Sequence, residues 1–269
     1  MMWPVTPSPT PASLPALDGV LNFRDMAGLT AADGTIPAAT LLRSGHLAEA
    51  TDADIDALTP LGLHSVVDFR QEADRLGDGG ADRLPPGAAP VLLPVADPGG
   101  AGAEFRELLM NGDGEALRAR FGGGQASSQA VDQTAAQATD PAKQATYAAF
   151  LRHVVDASGP VLFHCSAGKD RAGWAATLIG IALGVDDDQL MEHYLLSNVH
   201  RPVEQRLDYY RSRGVDAEVI LPFLRVDASY LQAALDAVDA GWATREAYFA
   251  EALDFGLDDI TRMREKYLV

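Results

Sequence analysis

Apolar and polar positions along the chain alternate between two periods, and turn residues mark each change. Leu63-His64-Ser65-Val66-Val67-Asp68 clusters β-branched residues before a polar break, the pattern of a short buried strand. Ahead of it, Thr51 heads a helix predicted over Asp52 to Leu61, with acidic residues in the first turn where the macrodipole favours them. Val91 to Val95 repeats the short apolar pattern and runs into Ala96-Asp97-Pro98, a loop. Asp140-Pro141 offers an N-cap followed by proline at the first helical position. The helix it opens carries Tyr147, Phe150, Leu151, Val154 and Val155 on one face and stops at Gly159-Pro160. Val161-Leu162-Phe163 reads as a buried strand, and Arg171 to Leu183 as an almost wholly apolar core helix. Beyond Asp186 the pattern is helical, with candidates at 187–198, 202–212, 228–239, 244–254 and 257–267.

Strands alternate with helices early and helices accumulate late. This order predicts a three-layer α/β fold: a central, mostly parallel sheet, helices on both faces, and a largely helical C-terminal part. Residues 1–17, rich in Pro, Ser and Ala, are expected to form a flexible arm. Residues 18–269 then make one domain. Gly122-Gly123-Gly124 and the Gln/Ala/Ser run around it mark 111–140 as an insertion, lid or mobile linker, the covering segment extending over about 104–145.

Composition narrows the function classes. Of 269 residues, 47% are hydrophobic and 22% charged, so a sizeable core is available. The net charge of -17 repels nucleic acid, anionic membranes and phosphorylated molecules alike. Nucleic acid is therefore not an expected partner, and any phosphate site has to be built from local positive groups. The one cysteine excludes an internal disulfide, which fits a reducing compartment. The N-terminus lacks a basic region and an apolar run, and no stretch approaches 18 apolar residues, so neither a secretory signal nor a membrane span is expected. The expected location is the cytoplasm, or the exterior by a route needing no N-terminal signal. No cluster of metal ligands stands out, and neither a metal nor a cofactor is expected.

The chemistry concentrates in His164-Cys165-Ser166-Ala167-Gly168-Lys169-Asp170-Arg171, between a strand and a helix. A short loop entering a helix N-terminus is a ready anion site, because successive N–H groups converge on one hollow. Gly168 supplies a backbone conformation closed to most residues. Arg171 adds a planar fork for two phosphate oxygens. Ser166, Ala167, Gly168, Lys169, Asp170 and Arg171 are the candidate phosphate-binding residues. Cys165 is expected to react as its thiolate, which the helix N-terminus and nearby cations favour. The chemistry this implies is in-line attack on phosphorus, release of an alcohol or phenol, and hydrolysis of a phosphocysteine. Inorganic phosphate is then the product and a natural bound anion.

These residues match H-C-x5-R, the signature of the protein tyrosine phosphatase superfamily. The fuller H-C-x-A-G-K-D-R resembles the bacterial tyrosine phosphatases related to the secreted mycobacterial and listerial enzymes. Asn22-Phe23-Arg24-Asp25-Met26-Ala27-Gly28 resembles that family's N-F-R-D-x-G-G, Leu42-Arg43-Ser44-Gly45 its R-S-G turn, and Val66-Val67-Asp68-Phe69-Arg70 its D-L-R segment. Tyr194-Leu195-Leu196-Ser197 is similar to a tyrosine-containing helix that follows the loop. The likeness runs from about residue 18 to the C-terminus. It implies a dual-specificity, metal-independent phosphatase acting on phosphotyrosine proteins, with phosphoserine, phosphothreonine or phosphoinositides as further substrates. Ala172 departs from the family's Thr or Ser, whose hydroxyl helps the sulfur leave in the second step, so slow phosphoenzyme breakdown is expected.

A leaving oxygen also needs a proton donor. Asp170, inside the loop, and Asp97, in a loop after a strand, compete; the resemblance favours Asp170. Lys169 is expected at the pocket rim, drawing in further substrate phosphates. His164 is read as orienting the Cys165 backbone. Arg24, Asp25, Asp68 and Arg70 are read as a supporting polar network, with Arg70 alternatively reaching substrate, and Tyr194 as a core residue. Two other functions compete: a phosphate-binding pseudophosphatase, suggested by Ala172, and a rhodanese-like sulfurtransferase, which lacks this G-K-D-R run.

Overall fold

The structure is a computed structural model that describes residues 14–96, 101–111, 114–201 and 203–269. Its strands are β1 (Arg24–Asp25), β2 (Thr30–Ala31), β3 (Gly34–Thr35), β4 (Leu41–Ser44), β5 (Ser65–Asp68), β6 (Ala89–Leu92) and β7 (Val161–His164). The helices are α1 (Asp52–Leu58), α2 (Glu72–Gly77), α3 (Ala101–Met110), α4 (Gly114–Phe121), α5 (Gln125–Thr139), α6 (Pro141–Asp156) and α7 (Arg171–Leu183). They continue as α8 (Asp187–Leu195), α9 (Val203–Arg211), α10 (Ala217–Leu224), α11 (Ala228–Gly241), α12 (Arg245–Ala252) and α13 (Leu257–Tyr267).

Five strands form the central sheet in the order β1-β4-β7-β5-β6. β4, β7, β5 and β6 run parallel, and β1 closes one edge antiparallel to β4. Residues two apart share a face, so each inner strand feeds two cores. Leu42, Val66 and Leu162 join Leu58 of α1 in one cluster. Leu41, Val67, Val161 and Phe163 face the larger core built by α6, α7, α11 and α13. This is the expected three-layer arrangement. His164 is in register with Ser44 on one side and Asp68 on the other, so three strands end level at the carboxyl edge of the sheet. That edge is where open α/β sheets place their ligands.

Local chemistry explains the firmer elements. Thr51 and Asp54 form a capping box on α1, and Asp54 also accepts from the backbone N–H groups of Asp18 and Gly19 at 2.8 Å each. Asp140 caps α6 with Pro141 next, as its sequence predicts. α7 spans the predicted residues and ends on Gly184 in a left-handed conformation at φ 86°.

The structure departs from the sequence reading at several points. The strand expected at 91–95 lies at Ala89–Leu92, where pairing with β5 sets its register. Within 111–140, α5 packs along α11 and buries Thr134, Gln137 and Ala138. Its small residues, read as linker composition, permit that approach. Of the N-terminal arm, residues 1–13 lie outside the described residues, while Leu14 and Leu17 pack on the core beside α1. A second, smaller core joins α3, α4, α9 and α10 around Phe105, Phe121 and Phe223, with Phe105 and Phe223 stacked 4.1 Å apart.

Candidate active site

Cys165 follows the last residue of β7 and is buried. The five carbonyls that follow along the loop are turned toward the surrounding protein. Cys165 O lies 3.2 Å from His164 Nδ1. Ser166 O accepts from His46 N–H at 3.1 Å, and Ala167 O from Asn22 Nδ2 at 3.1 Å. Arg43 Nη2 donates to Gly168 O at 2.7 Å and to Lys169 O at 3.2 Å. In a planar trans peptide the N–H points opposite to the C=O. The amides of Ser166 to Asp170 are therefore aimed away from these partners, into the hollow of the loop.

Two glycines make this curvature possible. Gly168 sits at φ 68°, and a Cβ there would lie 2.2 Å from Ser44 O. A Cβ on Gly45 would press to 3.1 Å of Ser166 O. The Arg43-Ser44-Gly45 turn and the catalytic loop thus fit backbone to backbone. Burial is the largest influence on Arg43 and lowers its pKa to about 10, against the opposing charges of Cys165, Tyr194 and Asp170.

Arg171 opens α7, and its guanidinium reaches the segment just after β5. Its Nη1 donates to Asp74 Oδ2 at 2.6 Å and to Phe69 O at 3.3 Å. Burial works against its charge, but Cys165 and then Asp74 outweigh burial and hold its pKa above the ordinary arginine value. Guanidinium and sulfur are thus electrostatic neighbours. Asp74 was not singled out in the sequence, where it resembles any acidic residue in the first turn of a helix.

Below the loop, Arg70 is wholly buried among carboxylates. It donates to both Asp68 oxygens and to Asp82 Oδ2 at 2.7 Å, with Asp78 3.6 Å away. Burial opposes this charge, and the three carboxylates overcome it, so its pKa is raised. The alternative in which Arg70 reaches substrate is corrected: its Nε and Nη2 are committed to Asp68 and Asp82, and its Nη1 is buried beside Asp78. His164 Nε2 lies 3.1 Å from Asp82 Oδ2, so both ring nitrogens face acceptors and the ring is fixed beside the Cys165 backbone. Burial would raise the Asp82 pKa, yet the hydrogen bond and charge of His164, with Arg70, bring it down to about 2. Donor atoms of Asp68, Asp82 and His164 lie within 4.8 Å of one another, a spacing that suits a metal. The Arg70 guanidinium already supplies the positive charge between these carboxylates.

Arg24 and Asp25 belong to separate contacts rather than to that network. Arg24 donates to Asn22 Oδ1, to the His193 carbonyl and to Ser197 Oγ. It thereby steadies the Asn22 that holds Ala167. Asp25 accepts from the N–H groups of Ala27 and Ala39 and shapes the β2–β3 hairpin's entry and exit. Tyr194 is a core residue as read; a Cβ on Gly173 of α7 would come within 2.8 Å of its ring.

Lys169 differs from expectation. It is 6% exposed, and its Nζ donates to Pro222 O at 3.1 Å and Arg225 O at 3.0 Å, with Asp170 Oδ2 at 3.4 Å. The carbonyls freed at the end of α10 outcompete the rim, because a buried ammonium needs acceptors. Asp170 keeps a side chain that is 40% exposed. Asp97 lies outside the described residues. Ser166 and Ala167 open onto a cavity of about 520 Å³, roofed by Phe105, Leu109 and Phe223 and lined by Arg201 and Arg206.

The profile of the tyrosine phosphatase family matches residues 15–269. The chain belongs to the tyrosine phosphatase family. This phosphatase is 34% identical over 259 residues to a Cupriavidus necator protein provisionally named a tyrosine-protein phosphatase, covering 94% of this chain and 88% of that one. It is 32% identical over 267 residues to the triple specificity protein phosphatase PtpB of Mycobacterium tuberculosis, covering 88% of this chain and 92% of the relative. A tyrosine-protein phosphatase of Nostoc commune is 28% identical over 166 residues, or 60% of this chain and 49% of that one.

Proposed function

We propose that this phosphatase hydrolyses phosphomonoesters through a phosphocysteine, with phosphotyrosine proteins as its main substrates. The observation that carries the proposal is the loop's polarity: carbonyls tied outward and amides turned inward, with the Arg171 charge favoured by Cys165. A phosphate seated there receives N–H groups and a guanidinium on its equatorial oxygens while the sulfur attacks in line. The P–S bond forms as the P–O bond breaks, and the leaving oxygen takes a proton. Asp170 supplies that proton, since it belongs to the loop and its side chain stays partly exposed; Asp97 is its competitor. Water then cleaves the phosphocysteine, releasing inorganic phosphate. Asp74 and Phe69 hold the fork of Arg171, a positioning role.

Helices α3, α9 and α10 act as a lid, sharing their own small core and roofing the cavity with Phe105 and Phe223. The triple specificity in the name of the M. tuberculosis relative supports phosphoserine, phosphothreonine or phosphoinositides as further substrates. The test is a panel of phosphotyrosine, phosphoserine and phosphothreonine peptides and inositol lipids, with Cys165→Ser as blank. Turnover of phosphotyrosine peptides, and acid-quench trapping of a phosphoenzyme absent from the blank, is the expected result. Phosphate binding without turnover would overturn it in favour of a pseudophosphatase.

A further inference from the structure

The cavity beside the loop is lined by two arginines, Arg201 and Arg206, that the proposed mechanism does not use. Arg201 is 9% exposed and lines the cavity. Its Nη1 donates to the Leu224 carbonyl, while its Nε is buried with no partner. Among the described residues it forms no ion pair, whereas Arg70 alone has three carboxylates. Burial and the like charge of Arg206 disfavour its protonated form, and Asp170 and Cys165 favour it, so it stands in the field of the loop. A buried, under-partnered guanidinium is costly unless an anion completes it. Glu49 and Asp78 also line the cavity, but both act on His46, and Asp78 lies 3.6 Å from Arg70.

We propose that Arg201, assisted by exposed Arg206 at the rim, is a specificity-determining anion site that takes a carboxylate flanking the phosphotyrosine of a peptide substrate. The inference rests on the phosphatase reading above. The scissile phosphate occupies the loop, and the subsite binds a second anion on the same molecule. The aromatic roof of Phe105 and Phe223 favours a peptide, because it accommodates an aryl ring, whereas a polyol ring would turn hydroxyls against apolar surface. A carboxylate can accept a charge-assisted hydrogen bond from the part of the Arg201 guanidinium that Leu224 leaves free.

The experiment compares two phosphotyrosine peptides that differ only by Glu or Gln beside the phosphotyrosine. In the wild-type enzyme the Glu peptide is expected to have about tenfold higher kcat/KM, carried mainly by KM, as for a charge-assisted hydrogen bond. The ratio should persist at high salt, since Arg201 is desolvated and screening acts chiefly on exposed charges. In Arg201→Met the ratio should fall to about one, and Arg201→Lys should keep part of it. Equal kcat/KM for both peptides in the wild type overturns the subsite and needs no variant. A ratio unchanged in Arg201→Met also overturns it. An Arg201-dependent gain from a second phosphate on soluble inositol phosphates, with none from the Glu peptide, overturns the peptide assignment. No turnover of either peptide by the folded wild type would remove the phosphatase reading itself, and the subsite with it.

Discussion

Arg43, wholly buried, donates through Nη2 to the carbonyl oxygen of Gly168 at 2.7 Å. The two residues are 125 positions apart, yet this contact sets which way the loop's peptide planes face. With Arg43 removed, the Gly168 and Lys169 carbonyls lose their donor, at about 1–3 kcal/mol for each buried acceptor left unpaired. The amides behind them then lose their inward set. Arg43→Met is expected to lower kcat about 100-fold and to reduce Tm, with Arg43→Lys recovering part of both. Steady-state kinetics on an aryl phosphate and a thermal melt measure the two effects. Unchanged kcat in a folded Arg43→Met protein would show that the loop holds its shape without it.

Asp74 makes the shortest contact to Arg171, at 2.6 Å. An Asp74→Asn side chain keeps the volume and an acceptor but loses the charge that steadies the fork. Phosphate binding should weaken about tenfold, as inhibition by inorganic phosphate and as KM, while kcat falls less. Equal losses in kcat and kcat/KM, with KM unchanged, would mean that Asp74 acts only in the transition state.

Stability should decline as pH falls below about 6.5. Burial is the leading cause that lowers the pKa of His46, His153, His193 and His200 from the usual 6.5. His193 is moved furthest, with Arg24 and Arg43 adding to burial, and its Nε2 lies 3.3 Å from Asp25 O. These rings stay neutral in the native state where the unfolded chain already binds protons. The unfolded state therefore takes up more protons below 6.5, and its stability relative to the fold rises. Asp82, held at about 2, adds its own loss only below 3.8. Tm measured from pH 8 to 5 should be flat at first and then fall, with a shallower fall in His193→Gln. A Tm that rises on acidification would refute the assignment.

Periodicity and local punctuation made α6, α7, β5 and β7 readable from sequence. The catalytic loop was readable because a strand, a cradle and a nucleophile occupy eight consecutive residues. β4 was not recognised as a strand: Arg43 and Ser44 are polar, and they are buried because Gly168 and its neighbours need partners there. α10 was missed because Pro222 interrupts its pattern, yet the helix survives on contacts with α9 and α4. Lys169, Asp74, Asp82 and Arg201 depend on partners far along the chain, so spacing carries no sign of their roles. A lysine beside a phosphate loop reads as a substrate contact; only the end of α10 lying over it reveals acceptors for its ammonium.

Ala172 follows Arg171 in the first turn of α7 and is wholly buried. A methyl group cannot donate to a departing sulfur, so the second step of the proposed reaction would lack the hydroxyl that Thr or Ser would provide. Hydrolysis of the phosphocysteine should then limit turnover, and an aryl phosphate should release its phenol in a burst of about one equivalent per active site. Ala172→Thr would restore a donor at the helix N-terminus but force extra volume into a packed position, at about 1–3 kcal/mol of stability. The expected variant is faster in steady state by several-fold, shows a smaller burst, and melts at a lower temperature. Rapid-quench measurements on both proteins separate the steps. A wild type without a burst, together with a variant no faster, would place the slow step before the phosphocysteine and leave Ala172 without a kinetic role.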